Sequence, residues 1–369
     1  MVSDGAEPRA QAARAMVAQD ARWIADAMMS TSNHKSGSGW LPLVLIGHSS
    51  RIVYEGSILL RSSDPAAGKP LLAALLDDRY GETIERSRHA GKLLDDTLKS
   101  YAQLKDEMSA FYLAHHDEFS GNAVWFARWL ETDLGLYCAP SGRILGNNVT
   151  GHFRAGLSSA TSLAQMGRQL FEVAEEQGGA LSVLAAAAGD ATPPTSTFDY
   201  ANLGRMVGKD RKALAYLAKR YDPVLPVESK LLLLMVEAEI NTTDVVLPLI
   251  ERGHEEAVFR ARMISTYHAL RAVEEMLNAD PSADSPATIR VRSLLDESST
   301  RGLLDDRGVR QVRNRCMHYE IRSRSLALDA AMPMFGIVEA LWDRTFDELN
   351  VIVRAISGRL AEALSLWRV

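Results

Sequence analysis

Apolar residues recur at three- and four-residue spacing along most of this chain, and that spacing predicts helices. Residues 8 to 29 are Ala-rich and set Met16, Ile24 and Met28 on one stripe. From 71 to 136 the spacing returns, with Leu93, Leu98, Tyr101, Leu104 and Met108 on one face and Val124, Phe126, Trp129 and Leu130 on another. A further helix is expected over 157 to 176. Later in the chain helices are expected at 199 to 220, 227 to 251, 254 to 278, 286 to 297, 307 to 320 and 330 to 367. The helix from 254 aligns Phe259, Met263, Tyr267, Leu270 and Leu277, which is core-facing spacing. The last helix carries a stripe from Phe335 through Trp342, Leu349, Ile356 and Leu360 to Trp367, long enough for the spine of a bundle or a dimer face.

One segment resists this reading. Residues 40 to 61 are rich in apolar and β-branched side chains (Leu43, Val44, Ile46, Ile52, Val53, Ile58), and periodicity does not choose between a strand pair and a buried helix. Residues 139 to 156 hold Pro140, Gly142, Gly146, Asn147, Asn148 and Gly151 and read as turns. Residues 178 to 197 combine Gly178-Gly179, an Ala run and Thr192-Pro193-Pro194-Thr195, a composition that favours an extended linker. The expectation is a mainly α protein in two parts. Residues 1–185 form a mostly helical domain, with the strand pair near 40–61 as an option, and residues 198–369 form a helical bundle.

Composition narrows the function classes. The chain is 47% hydrophobic and 24% charged, ordinary for a folded protein, with a net charge of −6. A general polyanion binder is excluded, so nucleic-acid contact needs a local basic patch. Two cysteines, Cys138 and Cys316, are too few for a disulfide framework or a cysteine-based zinc site and fit a reducing compartment. The first residues do not read as a signal peptide, and apolar runs such as 41–46 and 231–236 are too short to span a bilayer. The expected location is cytoplasmic, with no membrane partner.

Such a patch exists. Residues 301 to 324 hold seven Arg, no Lys and three acids, and within them lies Arg313-Asn314-Arg315-Cys316-Met317-His318-Tyr319. RNA carries its own nucleophile, the 2′-OH. Cleavage needs a base for that hydroxyl, an acid for the leaving 5′-oxygen and positive charge for the crowded phosphorane. His318 suits the proton transfers, Arg313 presents a fork of donors to phosphate oxygens, and Asn314 adds a neutral orienting donor. Arg310, Arg315, Tyr319 and Arg322 are candidate substrate contacts. Residues five apart lie ~140° apart around a straight helix. Either the helix starts or bends within the motif, or the site takes parts from more than one copy.

This Arg-Asn-x-x-x-His pattern, with Tyr after the His and helices on either side, resembles the active-site motif of the HEPN superfamily, many of whose members are metal-independent ribonucleases. The resemblance covers about 200 to 369, and the segment 259–268 is similar to the preceding helix of such domains. It implies a homodimer through the C-terminal helices that joins two motifs in one cleft and cuts RNA to a 2′,3′-cyclic phosphate, with no metal or cofactor. It also implies a defence, toxin or stress-response setting, with an antitoxin or regulatory partner. Glu274 and Glu275 are candidates for an acidic partner of the site. The competing reading is a HEPN-like module that dimerises and binds RNA or nucleotide without cutting. A weaker one centres a hydrolase on Ser49 in Gly47-His48-Ser49-Ser50-Arg51, although Arg51 stands where a nucleophile elbow has Gly.

Overall fold

The computed structural model describes residues 6–32, 40–63, 81–92, 100–120, 132–156, 163–195, 198, 205–321, 328–329 and 331–367. It is mainly helical, with one small antiparallel sheet. In chain order the N-terminal half gives α1 (Ala6–Ser32), α2 (Leu41–Val44), α3 (Ile46–Ser63), α4 (Gly81–Lys92), α5 (Tyr101–Ser120), β1 (Leu134–Cys138), β2 (Ile144–Asn147), α6 (Asn148–Arg154) and α7 (Leu163–Ala187). There follow β3 (Val207–Arg211), α8 (Ala213–Arg220), α9 (Val227–Val245), a 3-10 turn (Leu247–Ile250), α10 (Glu255–Ala279), α11 (Pro286–Asp296), α12 (Ser298–Asp305), α13 (Arg307–His318), α14 (Pro333–Leu341) and α15 (Phe346–Ser365).

Helix α9 is the centre. Every residue from Ser229 to Thr243 is buried, as expected for a helix covered on all sides, and α5, α10, α15 and β2 pack around it. Its buried carboxylates and amide have partners from neighbouring elements. Glu237 takes Arg220 and the Tyr221 hydroxyl; Asn241 and Thr242 bond the β2 carbonyls of Ile144 and Leu145 at 3.0 and 3.2 Å. Glu239 accepts from Arg154 at 2.7 Å and Ser265 at 2.6 Å, with His48 at 3.6 Å. The 346–367 part of the C-terminal stripe is buried within the chain against α9 and α10, so it is a bundle spine.

Residues 40–61 are helical, not a strand pair. Helix α3 is packed by α1, α4 and α7, and burial of Ile52, Val53, Leu59 and Leu60 on more than one side accounts for its uninformative pattern. The strands lie elsewhere, in the order β2-β1-β3. Of the residues 139–156 read as turns, only the stretch between β1 and β2 is one; β2 and α6 occupy 144–154. In that stretch Gly142 at φ +85 closes the hairpin, with the Gly142 amide on the Ala139 carbonyl at 2.8 Å. β3 falls inside the helix expected at 199–220; it is exposed throughout and is set by pairing with β1 rather than by its own pattern.

The extended linker is also corrected. Helix α7 runs through Gly178-Gly179 because Ala180, Leu181 and Leu184 are buried. The Pro-containing stretch after it is tied to α1, with Arg22 on the Thr192 carbonyl at 2.8 Å and the Thr195 amide on Asp26 at 2.6 Å. One hydrophobic cluster runs from Ala12 to Trp367, so both halves of the chain share it. The expected 330–367 helix breaks at 342–345, where Thr345 and Glu348 form a capping box.

Burial pushes His48 down to about 4 against the opposing pull of Glu239, and pushes His152 down to about 4 beside His115. Between pH 6.5 and 4 the unfolded chain binds protons at these rings that the folded chain does not, so stability is present above that window and falls as pH drops through it. One such imidazole accounts for about 3 kcal/mol. Urea unfolding at pH 7 and pH 4.5 is expected to show a loss of that order, reduced in His48→Gln; equal stability at both pH values would refute it.

Candidate active site

Helix α13 starts at Asp306, whose side chain accepts the Val309 amide at 2.9 Å. Gly308 then lets the helix pass close to the end of α14, since a Cβ there would stand 2.4 Å from the Leu341 carbonyl oxygen. Val309, Val312, Cys316 and Met317 face the core. The helix is continuous to His318 and stops because Tyr319 turns left-handed at φ 56. An aromatic side chain in that region costs roughly 1–2 kcal/mol, and the Tyr319 anchor offsets it. Its ring is fully buried, and its hydroxyl bonds Asp20 and Arg51, each at 2.7 Å.

Arg51 also reaches the Cys316 carbonyl at 3.1 Å and Asp20 at 2.7 Å, while Arg260 grips the other Asp20 oxygen at 2.7 and 2.9 Å. The end of α13 is thereby tied to α1, α3 and α10 by a buried charged cluster. This corrects the role expected for Tyr319: it is a structural anchor closed off from solvent, not a substrate contact.

His318 projects outward with its side chain 50% exposed, and its Nδ1 lies 2.9 Å from Glu55 Oε2 on α3. Glu55 is buried. An ionised carboxylate only accepts, so the pair places the ring proton on Nδ1 and leaves Nε2 to take or give a proton. The carboxylate that meets His318 is thus Glu55. Glu274 instead pairs with Arg271 at 2.8 Å and Arg301 at 2.6 Å, and Glu275 is exposed. Sequence distance hides Glu55, 263 residues from the motif. The only local signal is an acid one helical step after Arg51 and Ile52 on an otherwise apolar segment.

Arg313 leaves α13 toward α10, its guanidinium carbon 4.4 Å from the centre of the Tyr267 ring, which Arg271 approaches at 5.7 Å. Cation–π contact fixes its direction. Arg313 and His318 therefore engage different helices, Tyr267 on α10 and Glu55 on α3, as the ~140° separation demands. No break within the motif brings them onto one face. Asn314 and Arg315 are half-buried beside Arg313; Arg310 is exposed and reaches the Asp305 carbonyl at 3.3 Å. Arg322 lies outside the described residues.

Ser49 is excluded as a nucleophile here. It is fully buried in α3 and donates to Gln177 at 2.6 Å. Both cysteines are buried and unbridged, and burial pushes the Cys316 thiol up to about 12. Among the described residues no group of His, Cys, Asp and Glu is arranged to hold a metal ion, and no helix is long and apolar enough to cross a membrane. No family model matches the chain, and no curated protein or solved structure matches it.

Proposed function

We propose that this chain is a metal-independent endoribonuclease of HEPN type. The observation that carries the reading is the His318–Glu55 pair: a half-exposed imidazole at a helix end, oriented by a buried carboxylate, on the same helix as an Arg in an Arg-rich segment. His318 Nε2 takes the proton of the RNA 2′-OH, and O2′ attacks phosphorus. The P–O5′ bond breaks, and the 5′-oxygen leaves with a proton supplied by a second His318. Arg313 neutralises the phosphorane. The products are a 2′,3′-cyclic phosphate and a 5′-OH. Because the two side chains diverge in one copy, the reading requires a homodimer that sets the His318 of one protomer near the Arg313 of its partner. With the 346–367 stripe used inside the chain, the exposed side of α13, with Arg307 and Arg310, is the surface for that contact. Defence or toxin action, a cytoplasmic setting and an antitoxin partner belong to the same proposal.

A second reading, an RNA-binding module that does not cut, draws on one observation: Arg313 is half-buried against Tyr267. Incubation of the purified protein with RNA in EDTA separates the two. Fragments ending in 2′,3′-cyclic phosphate are expected; intact RNA that stays bound to a dimer would favour the module.

A further inference from the structure

The residues that hold Arg313 lie on one stripe of α10. Tyr267, Arg271 and Glu274 follow at four- and three-residue steps, so they share the helix face that receives α12 and α13. Glu274 takes Arg271 at 2.8 Å and Arg301 of α12 at 2.6 Å. Arg271 also donates to the Leu304 carbonyl at 3.2 Å and to Asp305 at 3.3 Å, the residues just before the Asp306 cap of α13. The start of α13 is thereby fixed to α10. Further along α13, Arg313 comes over the Tyr267 ring at 4.4 Å. Tyr267 is buried, so the ring cannot move aside without opening the packing of α10 against α13.

Packing alone asks less of this position. A guanidinium is flat and weakly hydrated, so it can lie over a ring and keep its in-plane N–H donors for an acceptor. An ammonium on a flexible stem has no such plane. An aliphatic side chain at 267 would fill space but give Arg313 no preferred direction. Arg313 is half-buried here, and loss of water strengthens the pull of the ring on the cation. Arg271 stands over the same ring at 5.7 Å. Two cations, Arg271 and Arg301, face two acids, Glu274 and Asp305. Arg271 is therefore matched in charge and braces the ring without competing for an anion.

On the reading that Arg313 meets the RNA phosphate, we infer that Tyr267 is its positioning residue. The ring sets the guanidinium flat against it and aims the fork of donors at phosphate oxygens before RNA arrives. Glu274 and Arg271 brace the ring, so Glu274 acts through Arg271 and Tyr267 and not through His318. An Arg held in place in advance loses less freedom when the charged phosphorane forms, which is where its stabilisation counts.

The test compares Tyr267→Phe, Tyr267→Leu and Arg313→Lys in the full chain, with Tyr267→Leu also placed on Arg313→Ala. Phe keeps the ring and should cut RNA within about threefold of the wild type. Leu removes the ring and should lower kcat at least about tenfold with KM little changed, the scale of a desolvated cation–π contact. Arg313→Lys keeps the charge, loses the plane and should fall at least as far. That change touches no core position, so it carries the test where Tyr267→Leu does not fold. On Arg313→Ala, Tyr267→Leu should lower kcat no further, because the two residues act as a unit. The Arg313 Nε–H signal in arginine-labelled protein, identified by its loss in Arg313→Lys, reads the geometry without RNA. The ring should shift it upfield in the wild type and Tyr267→Phe, and Tyr267→Leu should release it. Four outcomes would overturn the inference: unchanged cleavage in Tyr267→Leu, an equal fall with and without Arg313, full activity in Arg313→Lys, or an unshifted Arg313 signal. A wild type that cuts no RNA would instead end the cleavage reading by itself. The same variants are then read on RNA affinity, where Tyr267→Leu should weaken binding at least about tenfold only while Arg313 is present.

Discussion

His318→Ala should lower RNA cleavage by about 10²–10⁴-fold, the span that a positioned general acid or base contributes. The side chain is half exposed and ends its helix, so its loss removes one contact, to Glu55, and leaves the packed residues Cys316, Met317 and Tyr319 in place. Unfolding by urea should therefore be nearly unchanged. Glu55→Gln is the finer probe. Gln fills the same space but offers Nδ1 an amide that can present N–H as readily as C=O, so the ring loses its fixed orientation. The expected result is a smaller fall, in kcat with KM little changed, because Glu55 touches His318 and not the RNA. Arg313→Ala should fall with His318→Ala, and an excess of His318→Ala protomer mixed with wild type should depress the wild-type activity, since a mixed dimer keeps only one His318 where the reaction uses two. Cleavage that persists undiminished in His318→Ala would sink the site assignment. Wild-type activity that excess His318→Ala protomer leaves unchanged would place acid, base and Arg within one copy.

How much of this was legible differs by element. The long C-terminal helices announce themselves, because 254–278 and 346–365 carry sustained apolar stripes and their burial follows the stripe. The break at Thr345-Phe346-Asp347-Glu348 was also written, as a capping box, but a stripe that keeps its period across 342–345 masks it. β3 was not legible at all: Val207-Gly208-Lys209-Asp210-Arg211 has no apolar alternation and becomes a strand because β1 offers it a partner. The site divides the same way. Arg313, Asn314 and His318 lie close together in the sequence and are readable. Glu55, Tyr267 and Asp20 reach the motif through tertiary packing from α3, α10 and α1, and no spacing rule connects them. Tyr319 shows the hazard of reading a motif as a row of equivalents: it adjoins His318, yet a left-handed turn sends it into the core while His318 faces out.

Asp20→Ala is expected to be the most destabilising single change at this cluster, by about 3–5 kcal/mol, because it leaves the buried Arg51 guanidinium without its anion and Arg260 with Glu256 alone at 3.5 Å. Asp20 is fully buried. Burial alone would raise its carboxyl, but Arg260 and Arg51 overcome that and hold it below the usual carboxylate range. Its two oxygens serve Arg260 on one side and Arg51 with the Tyr319 hydroxyl on the other. Without it Arg51 keeps only the Tyr319 oxygen and the Cys316 carbonyl, and the left-handed turn at Tyr319 loses the bond that offsets its strain. Asp20→Asn should lose less, since it keeps the volume and one acceptor oxygen. The two effects separate by measurement: equilibrium unfolding reads the buried charge, and cleavage under folding conditions reads whether α13 still ends where His318 meets Glu55. Asp20→Asn should stay folded in the absence of denaturant yet cut more slowly, although Asp20 makes no contact with RNA in the proposed site. A loss below about 1 kcal/mol in Asp20→Ala, the scale of an ordinary exposed pair, would mean that water replaces the carboxylate. The position of α13 would then rest on Val312, Cys316 and Met317 packing alone.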